Sequence, residues 1–457
     1  MEDNMPTKLL KFSVESLYGL YNHSIEFNTD ENVCILHGPN GVGKTALLRC
    51  INYLFEADFG ALSKVPFRQI KVVLDSGCKV NVTRLDSSVS DLASRAINLS
   101  SKLEVNIFQD GKSLAKHTFS QPRMRGGRSN YTLQFDDSDL EAHEFMRRRL
   151  LDNADHIMPL TITGEERIIH VGGRAKKRLG ANFIKDFLSK ISVHFVETNR
   201  LYRPNVDMKL SNSGVISNQM VLTVQECAKD LTVRIGAVLK DYGVKSQLLD
   251  QSFPQRFISE SSSSMGVEEI KDKLSLIGKK LKDLRAIGLL DVDSVQAFDI
   301  EALDFVDENK IEVMSLYVRD SESKLKAFDG LLSRVQLLLG SMKTKFRNKR
   351  VFLSRTRGFY VKLDSGDELP LDALSSGEQH ELVLMYELLF KVPAGTLVLV
   401  DEPELSLHVS WQKAFLPELI SIAKEAKFTA IVATHSPFIV GDRHDLMIAL
   451  DAEQDHE

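Results

Sequence analysis

Apolar residues follow two different periods along the 457-residue chain. Near the N-terminus they recur every second position in short runs, and residues 8–14, 24–27 and 33–37 read as strands. A glycine-rich turn comes next, then a helical stretch over 45–54. Strand, glycine loop and helix in that order open an α/β domain. Residues 69–75, 79–85, 103–109 and 113–119 alternate again, parted by Asp75-Ser76-Gly77 and Gln109-Asp110-Gly111, which predicts antiparallel hairpins beside a main sheet. Residues 121–130 (QPRMRGGRSN) read as a polar loop, 139–152 as a helix and 190–195 as a buried strand.

In the middle of the chain the period changes. Val267, Ile270, Leu274, Ile277, Leu281 and Leu284 are spaced 3, 4, 3, 4, 3, and Leu325, Phe328, Leu332, Val335, Leu339 and Met342 repeat that spacing. These heptads predict a short antiparallel helical hairpin, with arms of roughly 33 Å for about 22 residues. Two ordinary amphipathic helices in a globular insert fit the same residues. The stretch between them, near 288–310, has mixed character, and the serine run 259–264 reads as a linker or helix cap. The α/β pattern returns at 396–400 (TLVLV) and 429–433 (TAIVA), apolar runs suited to buried parallel strands. The expected layout is thus 1–200 as the first part of an α/β head, 201–345 as a helical insert and 346–457 as the rest of the head.

Composition sets bounds. Hydrophobic content of 43% and charged content of 26% are ordinary for a chain with a sizeable core. A net charge of −5 argues against a protein built to coat nucleic acid. Arg147-Arg148-Arg149, 174–178 (RAKKR) and 343–350 (KTKFRNKR) are nonetheless basic clusters, read as solvated helix faces or as contacts for nucleic acid or an acidic partner. Cys34, Cys50, Cys78 and Cys227 form no CxxC pair, so reduced, buried thiols are expected. No run of about 18 apolar residues and no leader-like N-terminus appear, so the expectation is a cytoplasmic protein.

Four segments carry the chemistry. Gly38-Pro39-Asn40-Gly41-Val42-Gly43-Lys44-Thr45 fits the phosphate-loop pattern G-x-x-x-x-G-K-[ST]. Such glycines let backbone N–H groups face phosphate oxygens, Lys44 adds a point charge, and the Thr45 hydroxyl is the expected Mg²⁺ ligand. Asp401-Glu402 follow an apolar strand, at the sheet edge where ligands bind. There Asp401 would support Mg²⁺ and Glu402 would orient or deprotonate an attacking water. Leu374-Ser375-Ser376-Gly377-Glu378-Gln379 sets a serine-glycine turn at a helix start, fit either to bind an anion or only to cap the helix. In Ala433-Thr434-His435-Ser436, His435 follows the last buried strand and is expected near the γ-phosphate.

In this order the segments resemble the ABC-type ATPases, and within them the SMC, RecF and OLD branch, because DEPELSLH (401–408) is followed by Trp411-Gln412. The resemblance covers 8–55 and 370–450 and is weak in between. It implies an α/β ABC-ATPase head, a P-loop sheet plus an antiparallel β subdomain, with a short helical coiled-coil hairpin inserted. It implies ATP and Mg²⁺ as cofactors and a sandwich of two heads, in which Ser375 and Gly377 of one copy close over nucleotide held by Gly38 to Thr45 of another. Asp401 then matches Walker B, Glu402 the catalytic carboxylate, 404–408 the D-loop and His435 the switch histidine. The branch's Mg²⁺-touching glutamine has no direct match; in HFVETNRLY (194–202) Asn199 would take its place, one methylene shorter. Tyr18 or Tyr21 would stack on adenine.

The expected reaction is slow hydrolysis of ATP to ADP and phosphate, with Lys44, Glu402, His435 and Ser375 as catalytic residues. The chain looks similar in size and layout to single-head ATPases of the anti-phage systems PARIS and Septu. That likeness implies a homo-oligomeric sensor or scaffold holding a separate effector, a nuclease or toxin, with a phage-encoded trigger. OLD nucleases add a TOPRIM domain after the head, whereas here seven residues follow 447–450. A RecF-like DNA-repair ATPase and a weakly hydrolysing scaffold are the alternatives; a transporter motor fits least.

Overall fold

The computed structural model describes residues 8–27, 32–85, 102–120, 173–196, 200–204, 220–259, 265–291, 308–405 and 407–450. In chain order come β1 (Leu9–Leu17), β2 (Tyr21–Glu26), β3 (Val33–His37), α1 (Lys44–Phe55), a short α2 (Phe59–Leu62), β4 (Gln69–Leu74), β5 (Lys79–Arg84), β6 (Lys102–Gln109), β7 (Lys112–Ser120), α3 (Gly173–Leu188) and β8 (Val193–Val196). Then follow β9 (Tyr202–Pro204), β10 (Met220–Leu222), α4 (Thr223–Ser259), α5 (Val267–Ala286), α6 (Glu308–Leu325), α7 (Asp329–Lys345), β11 (Lys349–Ser354), β12 (Gly358–Leu363), β13 (Glu368–Leu369) and α8 (Ser376–Tyr386). A π-helical turn, Glu387–Lys391, precedes β14 (Leu397–Asp401), α9 (Val409–Ala426), β15 (Thr429–Thr434), a short α10 (Pro437–Val440) and β16 (Met447–Ala449).

Two compact units result. The first combines Met1–Thr198, Pro393–Glu404 and Lys427–Glu457; the second combines Asn199–Val392 and Leu405–Ala426. The expected boundary at 345 and 346 therefore falls inside the second unit, because α7 packs on α8, α9 and β11.

Among the described residues the first unit holds two sheets. One is antiparallel, in the order β2-β1-β4-β5-β6-β7, and its strands β4, β5 and β6 bury alternate residues as the sequence pattern required. The other has the order β16-β3-β15-β14-β8, with every described pair parallel. A single apolar cluster takes in residues of both sheets together with Leu47, Leu48, Ile51, Leu54 and Phe55 of α1. β14 is wholly buried, so its run of apolar residues is continuous rather than alternating. Cys50, Cys78 and Cys227 are buried and Cys34 nearly so, all as free thiols, and burial pushes Cys34 and Cys50 up to about 12.

In the second unit the helical insert departs from expectation. Met265 N donates to Ser315 Oγ at 3.1 Å, Lys273 reaches Glu322 at 3.5 Å, and Lys280 pairs with Asp329. Partner numbers rise together, so α5 runs parallel to α6 and the start of α7, not antiparallel to α7. The antiparallel partner of α6 is α4: Tyr242 lies 5.0 Å from Phe328 between ring centroids, Asp250 accepts from Lys324 at 2.6 Å, and Arg256 grips Asp320 with two bonds of 2.7 Å. Heptads reveal an apolar face but neither its partner nor its direction. Helix α6 went unread because its buried face carries Ser315 and Asp320. Helix α4 is about 55 Å long at 1.5 Å per residue and buries residues only in its first turns, up to Ile235, which erases the period further on. At its base Gly358 has φ +75°, and a Cβ there would lie 1.9 Å from the Ala228 carbonyl oxygen, so β12 and α4 meet backbone to backbone.

The loop 121–130, the helix 139–152, Arg147-Arg148-Arg149, Asn199 and 260–264 of the serine run lie outside the described residues.

Candidate functional site

The phosphate loop joins β3 to α1. Gly41 and Gly43 sit at φ +85° and +92°, the left-handed region that other residues enter at a cost of about 1–2 kcal/mol. Gly43 is also the N-cap of α1, so no side chain caps the helix, and its first turn holds no acidic residue. The N–H groups there are left to meet an anion, with the helix dipole adding to the attraction. Val42 is buried, while Pro39, Asn40 and Gly41 are exposed on the outer turn.

Lys44 is 4% exposed. Its ammonium donates to the carbonyls of Gly38 at 2.7 Å and Pro39 at 3.0 Å and lies 3.0 Å from His435 Nδ1. Burial holds its pKa below the usual lysine value, against the opposing charges of Glu402, Glu404 and Asp401. The Thr45 hydroxyl donates to Asp401 Oδ1 at 3.0 Å. Burial, reinforced by the charges of Glu402 and Glu404, pushes the Asp401 carboxyl above the ordinary range despite the Thr45 bond. Glu402 has φ +43°, strained for a residue with a side chain, and its N–H is tied to the Ala433 carbonyl at 2.9 Å. That turn at the end of β14 brings Glu402 Oε1 within 3.5 Å of His435 Nε2.

Lys44, Thr45, Asp401, Glu402 and His435 therefore converge, as β3, β15 and β14 lie side by side in one parallel sheet. Three carboxylates (Asp401, Glu402 and Glu404) surround one ammonium, an acidic excess that suits a divalent cation. Thr45 and Asp401 present hard oxygen donors of the kind a divalent cation such as Mg²⁺ takes. Among the described residues no cluster of three or more His, Cys, Asp or Glu forms a protein-only metal cage.

His23 was not singled out from the sequence. It occupies an inward position of β2, and its Nε2 lies 2.8 Å from the Val42 carbonyl oxygen, bracing the loop from behind. Burial lowers its pKa against that bond. Tyr21 stacks on it at 5.8 Å between ring centroids, whereas Tyr18 is half exposed. A polar residue on the buried face of an alternating strand was the available signal.

In the second unit Ser375 caps α8 in a capping box. Its N–H and hydroxyl donate to Glu378 Oε2 at 2.9 and 2.8 Å, and its oxygen accepts from Glu378 N at 3.4 Å. Burial would raise the Glu378 carboxyl, but bonds from Lys349 and Ser375 outweigh it and hold the group below its ordinary value. Ser375 and Ser376 are exposed and Gly377 is half-buried. Downstream, His408 Nδ1 pairs with Ser410 Oγ at 2.8 Å and starts α9. The basic cluster 343–350 is partly committed: Lys345 is buried between Glu381 and Glu418, and Lys349 pairs with Glu378 at 3.0 Å.

Residues 13–285, more than half of the chain, match a family model described as an AAA domain. The chain belongs to the AAA-domain family. A second model, described as an AAA domain, putative AbiEii toxin, Type IV TA system, matches residues 233–441 of this AAA-family chain and so spans the serine-glycine turn, β14 and His435. No curated protein matches it in sequence. Among solved structures it is similar to the Smc head domain with an extended coiled coil bound to the C-terminal domain of ScpA from Pyrococcus furiosus. The identity is 12%, over 97% of this chain and 93% of that one, with a TM-score of 0.35. A SmcHead bound to the C-winged helix domain of ScpA gives 12%, the same coverages and 0.33. These overlaps are loose, and the sheet order and loop geometry above define the head. Among the described residues no helix is long and apolar enough to cross a membrane.

Proposed function

We propose that this AAA-family chain is an ABC-type ATPase that hydrolyses ATP to ADP and phosphate, with nucleotide held between two copies of the head. The observation that carries the reading is the Thr45–Asp401 bond of 3.0 Å, with Lys44, Glu402 and His435 gathered around one glycine loop. The loop N–H groups of Gly41, Val42, Gly43 and Lys44 bind phosphate oxygens, and the Lys44 ammonium leaves its carbonyl partners to neutralise the transferring group. Thr45 and Asp401 hold Mg²⁺, which when bound would neutralise phosphate charge; Asn199 is the candidate for a further contact. Glu402 orients the attacking water and takes its proton, and His435, between Glu402 and Lys44, keeps the two in line. The turn of exposed Ser375 and half-buried Gly377, at the start of a helix, supplies an anion-binding face for the nucleotide of the second copy. Replacing Glu402 by Gln is expected to cut phosphate release on the order of 10³-fold while ATP still binds. Light scattering should then show an ATP-dependent dimer of that variant, and a monomer at every concentration refutes the sandwich.

For the biological role we favour an anti-phage scaffold whose ATP state holds or releases a separate toxin or nuclease. The support is the likeness in size and layout to single-head ATPases of such systems; the family description, a putative toxin of a Type IV TA system, names no separate effector. Co-purification with the product of an adjacent gene, lost on adding ATP to the wild type but kept in Glu402→Gln, is the expected result. DNA-stimulated hydrolysis with steep salt dependence would favour direct action on DNA instead.

A further inference from the structure

Glu404 lies three residues after Asp401, in the segment the family resemblance assigns only to a D-loop. Its Oε1 accepts three hydrogen bonds: from Thr434 Oγ1 at 2.8 Å, His435 N at 2.7 Å and Ser436 N at 3.2 Å. Its Oε2 is buried and makes no hydrogen bond. Both ends of the gripped segment are anchored as well. Thr434 closes β15, and Ser436 caps the four-residue α10 by accepting from Phe438 N at 3.2 Å. Ser436 N also reaches Thr434 Oγ1 at 2.9 Å, so that hydroxyl is shared within the same small network. Between these ends the His435 ring must face Lys44 on one nitrogen, at 3.0 Å, and Glu402 on the other, at 3.5 Å.

We infer that Glu404 is a positioning residue: one carboxylate oxygen fixes the backbone of Thr434, His435 and Ser436 and thereby sets the His435 ring between Lys44 and Glu402. Its effect on hydrolysis rests on the ATPase reading above; its effect on the place of the ring does not. A rival role is purely electrostatic, since the Glu404 charge favours the protonated Lys44 ammonium. Geometry and charge are separable by substitution. Glu404→Gln keeps the reach and an acceptor oxygen without the charge. Glu404→Asp keeps the charge but withdraws the acceptor by one methylene, about 1.5 Å.

The test measures steady-state ATP hydrolysis of both variants and, in nucleotide-free protein, the NMR resonances of the His435 imidazole. The inference expects kcat of Glu404→Asp to fall on the order of 10- to 100-fold, since misplacement by about 1 Å is enough for that. KM for ATP should stay within roughly threefold, because the nucleotide itself is held by the glycine loop. Glu404→Gln should stay near wild type, and His435 resonances should move in the aspartate variant and not in the glutamine one. The reverse order of activities, or unmoved His435 resonances in Glu404→Asp, overturns it. If wild type hydrolyses no ATP, the ATPase reading fails and the resonances alone decide this inference. If Glu404→Asp does not fold, Glu404→Gln decides: wild-type resonances and kcat support the inference, and their loss overturns it.

Discussion

Lys44 and Lys345 are both buried, at 4% and 5% exposure, and both have glutamates nearby, yet they are held in opposite ways. Lys345 is clamped directly by Glu381 and Glu418, the latter also bonded to Ser341, where α7, α8 and α9 meet. Among the described residues Lys44 touches no carboxylate; it rests on two loop carbonyls and a histidine ring, with Glu402, Glu404 and Asp401 acting at a distance. A buried charge with full ionic partners fastens helices together. One held by weak, exchangeable acceptors stays available for an incoming anion. The same contrast separates Asp401, whose carboxyl is raised by burial, from Glu378, whose carboxyl is lowered by Lys349 and Ser375.

The comparison is broken most decisively at the two lysines. Lys44→Met is expected to reduce ATP hydrolysis on the order of 10³-fold, about 4 kcal/mol in the barrier, while the urea midpoint barely moves. Lys345→Met should do the converse. It leaves the buried Glu381 and the partly buried Glu418 without their cation, a change worth about 3–5 kcal/mol in folding stability, read from urea unfolding. If both variants lost stability equally, the distinction between them would be wrong.

A subtler separation lies in pH. The Asp401 carboxyl is raised, so ionising it costs the folded state, and that cost is complete only above its folded pKa. Asp401→Asn should therefore be more stable than wild type at pH 7, the gain fading as pH falls toward the unfolded value. The Glu378 carboxyl is depressed, so its contribution is present above the unfolded pKa and lost as pH falls through the folded one. Glu378→Gln should be less stable at pH 7 and converge with wild type in acid. Thermal melts from pH 7 to pH 3 distinguish the two signs.

The smallest effect concerns Ser375. As a cap alone its removal in Ser375→Ala costs about 1 kcal/mol of stability and nothing in turnover. If the turn also closes a partner's site, kcat falls well beyond what that loss of stability explains.

Strands β4 to β7 were legible nearly to the residue, and β4 to β6 show why by burying alternate residues; β1, β2 and β8 were each read about three residues off at one end. The glycine loop was legible because its backbone shape demands glycine at Gly41 and Gly43. Helices α4 and α6 were not, since α4 is half-solvated beyond Ile235 and α6 buries Ser315 and Asp320. His23 was passed over because a single inward polar residue in β2 has no spacing to announce it. Glu404 stood inside a recognised run, yet nothing local shows that its oxygen reaches 434–436.

By itself, then, the sequence determined the α/β alternation, the glycine loop and the acid pair ending β14, since each depends on local backbone geometry and on which face is apolar. Tertiary structure alone decided that α5 runs parallel to α6, that Lys345 is clamped between Glu381 and Glu418, and that Glu404 grips the His435 loop. Those outcomes depend on which distant segments share a neighbourhood, and in a chain a charge or an apolar stripe carries no address for its partner.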